Sequence, residues 1–275
     1  MNLNPSNQIN LFGHKEIFND LSKLYKNDKL PNKILLSGEK GIGKSTLAYH
    51  LVNFVLSKDE ERTYDYEGNI INSENKSFKL IQNKSNPNFN LIDVTEDKKN
   101  IDINQIRELI KNLNKSSFNK KKRFVLIDNI ELLNVNSINA LLKILEEPNE
   151  NIIFILIHNN KRVLSTLKSR CLNFRVFLTK DQSIKIINQI LNDDIHNFFN
   201  NEFIDNYITP GKLYNLVKFS EEYNLDFTII SLSEILKNIF KDKIYKKDKS
   251  IIELTYSFIE LYFRNNISIK NINLL

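Results

Sequence analysis

The stretch that decides the fold runs Lys33-Ile34-Leu35-Leu36-Ser37-Gly38-Glu39-Lys40-Gly41-Ile42-Gly43-Lys44-Ser45-Thr46. It starts, behind the chain-breaking Pro31, as a short apolar run of the kind that forms a buried strand. It ends by opening a helical pattern, in which Leu47, Ala48, Leu51, Val52 and Val55 recur up to about Leu56. Between the two lies G-x-x-x-x-G-K-S. The chain has only six glycines, and Gly38, Gly41 and Gly43 fall within six positions. Without a Cβ, such residues let successive backbone N–H groups converge on an anion, and the helix N-terminus adds partial positive charge there. The segment therefore reads as a phosphate-binding loop. Lys44 is expected to neutralise the terminal phosphates of ATP and Ser45 to offer a hydroxyl to Mg²⁺, with Gly38, Gly41, Gly43 and Thr46 completing the cradle. The competing reading is a glycine-rich turn with no ligand.

A nucleotide site of this kind needs an acid at the carboxyl end of a buried strand. Phe124-Val125-Leu126-Ile127-Asp128 supplies one, and Asp128 is expected to reach Mg²⁺, usually through water. The next position is Asn129. An amide orients water but does not take its proton at neutral pH. Glu131 stands two residues further on, beyond expected reach. The chain reads as equipped to hold nucleotide and poorly equipped to cleave it.

Outward from these motifs the pattern alternates. Residues 14–27 predict a helix with Ile17, Leu21 and Leu24 on one face, and residues 89–94 a strand. The polar stretch 57–90 reads as an insertion with room for a short hairpin. Asp102 is placed to cap a helix carrying Ile103, Ile106, Ile110 and Leu113. Residues 135–147 predict a helix with Ile138, Leu141, Leu142 and Leu145 inward, stopped by Pro148, and residues 152–157 another buried strand. After Phe177 only helical periodicities occur. The expectation is an α/β fold: a parallel sheet covered on both faces in residues 1–178, a helical lid domain in 179–225, and a short helical region in 226–275.

Composition bounds the rest. No run of 18 apolar residues occurs, so no membrane span is expected, and residues 1–10 show no signal peptide. The single cysteine, Cys171, excludes a disulfide framework and a multi-cysteine zinc site, and a reducing cytoplasm is the simplest compartment. A net charge of +6 suggests a nucleic-acid partner, but 32 of the 39 basic residues are Lys and Asn makes up about 15% of the chain. Lys, Asn and Ile rise together when codons are rich in A and T, so compositional drift competes with a selected DNA-binding face. No basic patch interleaved with aromatics supports direct nucleic-acid binding.

Two further motifs carry a resemblance. Ser137-Ile138-Asn139-Ala140-Leu141-Leu142-Lys143-Ile144-Leu145-Glu146-Glu147-Pro148 is similar to the helix after the acidic strand in bacterial clamp-loader subunits, and Ser169-Arg170-Cys171 is similar to their SRC motif. Leu30-Pro31, Asn86-Pro87-Asn88 and Ile103-Asn104-Gln105-Ile106-Arg107 add to the likeness. Together they resemble the delta-prime branch of the DNA polymerase III clamp-loader family, of AAA+ type, over residues 11 to about 220. The resemblance implies a subunit that works beside motor (gamma/tau) and delta subunits to load the sliding clamp onto primed DNA. It also implies that Arg170 is an arginine finger acting in trans on the motor subunit's ATP, where such a group is worth roughly 10³–10⁵ in rate. A surface ion pair is the plainer reading of Arg170.

Departures from the family are informative. With one cysteine, the zinc module of many relatives is absent, and residues 57–90 must be held otherwise. His158 or Asn159 falls where the family's first sensor sits, and Gly211 or Lys212, after Thr209-Pro210, where motor subunits place an Arg. Asn129 replaces the AAA+ glutamate. These features imply a stator that hydrolyses poorly. The alternative is an ATP-hydrolysing motor subunit of the same loader. Only about 50 residues follow position 225, so the C-terminal region resembles at most a truncated collar.

Overall fold

The computed structural model describes residues 3–95, 98–115, 119, 121–146, 149–160, 165–246 and 249–266. The chain divides into two units, Met1–Phe177 and Leu178–Leu275.

The frame of the first unit is a sheet of β1 (Lys33–Ser37), β2 (Phe89–Ile92), β3 (Arg123–Ile127), β4 (Ile152–His158) and β5 (Leu172–Arg175). Their order is β2-β3-β4-β1-β5 and every neighbouring pair is parallel. Parallel neighbours require crossovers, which the helices supply. They are α1 (Lys15–Lys26), α2 (Lys44–Leu56), α3 (Lys76–Gln82), α4 (Ile103–Leu113), α5 (Val135–Glu146) and the short α6 (Ser165–Lys168).

Alternation along the strands sorts the core into two faces. Leu35, Val125, Ile127, Phe154 and Leu156 share one cluster with Ile106 and Leu109 of α4, Ile138, Leu141 and Leu145 of α5, and Leu167 of α6. Ile34, Leu36, Phe124, Leu126, Ile153 and Ile155, equally buried, point the other way. On that side α2 lies against β4 and also touches α1 and α3, which is why it is buried nearly all round. The β3 and β4 strands are buried from end to end, and this makes them continuous apolar runs in the sequence.

Local chemistry sets the helix ends. Asp102 caps α4 in a full capping box with Gln105. The other end of α4 is capped by Arg123, whose guanidinium donates to the carbonyls of Asn112, Leu113 and Lys115. A cation at a helix C-terminus offsets the helix dipole there.

Four details differ from expectation. The buried face of α1 centres on Phe18, Leu21 and Ser22, with Ile17 only half-buried, because the aromatic cluster described next draws Phe18 inward. Strand β2 ends at Ile92, two residues early. β5 was not expected: it is a short edge strand whose outer face is exposed, so its sequence lacks the apolar signature. Within residues 57–90 there is a helix, α3, capped by Asn75, beside an antiparallel bridge between Asp65 and Ile70. That region rests on rings: Phe18 and Phe54 both pack, tilted or edge-on, against Tyr64 and Tyr66, and the Lys26 ammonium lies 3.8 Å from the Tyr66 ring centre. Glu147 and Pro148 lie outside the described residues.

The second unit is helical: α7 (Lys180–Leu191), α8 (Asn201–Ile204), α9 (Pro210–Tyr223), α10 (Leu232–Lys241) and α11 (Lys249–Asn266). Phe199, Phe203, Phe219, Phe227 and Phe258 form one aromatic core. Residues on both sides of position 225 therefore share a single interior. Among the described residues no helix is long and apolar enough to cross a membrane.

Candidate nucleotide site and the arginine at the opposite edge

The loop from Gly38 to Gly43 leaves the carboxyl end of β1 and enters α2. Gly41 and Gly43 hold φ of 88° and 94°, which side chains with a Cβ resist. Gly38 is required for a different reason: a Cβ there would lie 2.2 Å from the Val176 carbonyl oxygen. Among the described residues, the N–H groups of Gly41, Ile42 and Gly43 meet no acceptor. Neighbouring unclaimed donors on a loop at a helix N-terminus suit phosphate oxygens.

Lys44 is buried and turns its ammonium back into the loop, donating to the carbonyls of Gly38 at 3.0 Å and Glu39 at 2.5 Å. Burial pulls its pKa down to about 8, against the opposing pull of Asp128, Glu131 and Glu39. Ser45 donates its hydroxyl to Asp128 Oδ2 at 2.5 Å. This is the pair a divalent cation needs, one hydroxyl and one carboxylate from facing elements. Asp128 is half-buried, and desolvation chiefly raises its pKa, with Ser45 opposing the shift and the nearby Asp93 adding to it. Thr46 sits half-buried in the first turn of α2. The structure thus brings Gly38, Gly41, Gly43, Lys44, Ser45, Thr46 and Asp128 into one site, and its donors and acceptors fit ATP with Mg²⁺. Lys44 would answer the phosphate charge, and Ser45 with Asp128 would hold the metal.

Several participants were not evident beforehand. His14, in the left-handed region at the start of α1, lays its ring beside Gly43, and its Nε2 donates to the Ile42 carbonyl at 2.5 Å. Because a carbonyl only accepts, Nε2 carries a proton; burial, helped by Lys44, keeps the ring's pKa below its ordinary value. Asn129, in the left-handed region, donates through Nδ2 to Asp93 Oδ1 at 2.8 Å, while its own Oδ1 accepts from Asn159 Nδ2 at 2.8 Å. Asn159 also donates to Glu131, from Nδ2 at 2.9 Å and from its backbone N–H at 3.3 Å. The 3-10 turn at Ile130–Leu132 turns the Glu131 carboxylate back to the residue that follows β4. Of the two sensor candidates, Asn159 enters this polar chain. In the second unit, Lys212 pairs with Glu260 at 3.3 Å.

Arg170 lies elsewhere. It precedes β5, which runs in register beside β1 from Ile34↔Leu172 to Ser37↔Arg175. Gly38 follows the carboxyl end of those same strands. From the level of Leu172, two residues after Arg170, to that of Gly38 is four residue steps of about 3.3 Å, roughly 13 Å along the sheet. The Arg170 guanidinium donates to Glu146 Oε1 at 2.6 Å and to the Thr166 carbonyl at 3.0 Å. Glu146 ends α5, whose preceding carbonyl, on Leu145, accepts from Lys33 at the start of β1. Arg170 and the phosphate loop thus occupy opposite edges of one sheet.

With this geometry in hand, comparison with known proteins gives a consistent result. The family described as "DNA polymerase III, delta subunit" matches residues 13–179. The DNA polymerase III subunit delta' of Pseudomonas aeruginosa is 33% identical over 50% of this chain and 40% of its own. The gamma subunit of Buchnera aphidicola (subsp. Schizaphis graminum) is 28% identical over 70% of this chain and 52% of its own. The delta' subunit of Bacillus subtilis is 30% identical over 57% of this chain and 44% of its own. The chain thus spans about half the length of the curated relatives it matches. Among solved structures, a gamma-subunit-related protein of Thermotoga maritima aligns with a TM-score of 0.44 at 18% identity, over 80% of this chain and 66% of that one. The chain belongs to the DNA polymerase III delta-subunit family, as a clamp-loader delta-prime-like protein of AAA+ type.

Proposed function

We propose that the chain is a stator-like subunit of the bacterial DNA polymerase III clamp loader, which holds ATP–Mg²⁺ and hydrolyses it poorly. The observation that carries this reading is Asn129. It occupies the position from which a carboxylate would accept a proton from attacking water, and its amide is already engaged by Asp93 and Asn159. Lys44, Ser45 and Asp128 bind the nucleotide, with Gly38, Gly41, Gly43 and Thr46 shaping the loop. Arg170 works in trans as an arginine finger on the ATP of an adjacent gamma/tau-type motor subunit. Its distance along the sheet from the chain's own loop supports that assignment, since an Arg side chain does not span it. Beside a delta subunit, in the cytoplasm, the assembly places the sliding clamp on primed DNA. The domain plan that goes with this role is a nucleotide-binding domain, a lid and a short collar-like end.

One observation favours a second reading, an ATP-hydrolysing motor subunit. Glu131 reaches the sensor position and its charge acts on Lys44. Isolated chain separates the two. The stator binds ATP–Mg²⁺ in equilibrium dialysis and releases no phosphate above background. Turnover on the order of 1 s⁻¹, an ordinary enzyme rate, would instead establish the motor.

A further inference from the structure

We propose that Glu146 is a positioning residue for Arg170, holding the guanidinium oriented for a nucleoside triphosphate bound by a neighbouring subunit; this rests on the trans role given to Arg170 above. Arg170 is held from two sides. Its Nη2 donates to Glu146 Oε1 at 2.6 Å, from the last residue of α5, and its Nη1 to the Thr166 carbonyl at 3.0 Å, from α6. Two acceptors on different elements, one at each Nη, fix the plane of the guanidinium as well as its place. A guanidinium has five N–H donors. Among the described residues these two contacts leave Nε–H and one hydrogen on each Nη for another anion.

The anchor is itself fixed. Lys33, the first residue of β1, donates to the Leu145 carbonyl at 3.1 Å, one residue before Glu146. Glu146 therefore stands on a helix end tied to the central strands, and Arg170 leads directly into β5 of the same sheet. Glu146 is exposed and Arg170 half-buried, with 54% and 32% of their side chains accessible. An ion pair this accessible adds little to folding. What it does supply is order: a long, rotamer-rich side chain is preset, so less freedom is lost when phosphate arrives.

The test uses a clamp loader reconstituted with gamma/tau-type motor subunits, with ATP turnover stimulated by clamp and primed DNA. Arg170→Ala serves as the reference and lowers kcat tenfold or more. Glu146→Ala lowers kcat threefold to tenfold at unchanged KM for ATP, and Glu146→Gln, whose amide oxygen still accepts the Nη2 hydrogen, restores at least half of the loss. Wild-type or faster turnover by Glu146→Ala beside a slow Arg170→Ala overturns the positioning role and leaves the trans role of Arg170 standing. So does a Gln variant no faster than Ala. Unchanged turnover by Arg170→Ala removes the trans role itself. A second readout needs no assembly: Arg170 Nη resonances in the nitrogen-15 labelled chain are split by hindered rotation and collapse in Glu146→Ala. Resonances identical in wild type and variant contradict the proposal.

Discussion

The two edges of one parallel sheet carry opposite kinds of polar chemistry. At the carboxyl edge, Lys44 and His14 are buried and donate to backbone carbonyls, and the half-buried Asp128 accepts from Ser45. At the amino edge, Arg170 and Glu146 are open to water and held by a single ion pair and one carbonyl. Burial makes the first cluster costly to disturb, because each lost partner leaves a desolvated group behind. Exposure makes the second cheap to rearrange. A site that retains a ligand suits the first condition, and a side chain lent to a neighbour suits the second.

Substitutions at the two edges should differ accordingly. The largest effect is expected for Lys44→Ala, which removes the buried cation of the loop: ATP affinity falls about 100-fold, equivalent to about 2.7 kcal/mol, in equilibrium dialysis. Gly38→Ala comes next. Its Cβ meets the Val176 backbone oxygen at 2.2 Å as well as the Ile42 side chain at 2.7 Å, so stability falls by about 2–3 kcal/mol in urea titration. Smaller again is the effect of pH on binding. With its pKa pulled down to about 8, Lys44 loses its charge as pH rises through that value, and phosphate loses its counter-ion. ATP affinity should drop several-fold between about pH 7 and 9, while Lys44→Arg, charged throughout, shows a flat profile. The smallest effect on folding belongs to the amino edge, where Glu146→Ala changes stability by less than about 1 kcal/mol. A large loss of stability in Glu146→Ala, or none in Gly38→Ala, would erase the contrast.

How much of this was legible beforehand follows from range. The loop, the strand ending in Asp128, the α5 stripe and the Asp102 cap depend on residues within about a dozen positions, and each shows in composition or period. Strand β5 did not, because its outer face is exposed and carries Asn173 and Arg175. The aromatic support of residues 57–90 joins α1, α2 and that segment, a packing no local pattern encodes. The polar contacts at both edges are likewise non-local: His14 meets Ile42, Asn159 meets Glu131, and Arg170 meets Glu146 across 24 to 28 residues. Glu131 is the instructive case. A 3-10 turn carries its carboxylate to Asn159, 28 residues further along, a contact that spacing along the chain does not show.

In the proposed stator role, this chain serves a neighbour's nucleotide rather than its own. That role is tested most directly by clamp- and DNA-stimulated ATP turnover of the reconstituted loader with Arg170→Ala in place of the wild-type chain. A tenfold or greater loss, with the complex still assembled in gel filtration, is the expected result. Unchanged turnover in an intact complex would contradict it and return Arg170 to a surface ion pair with Glu146.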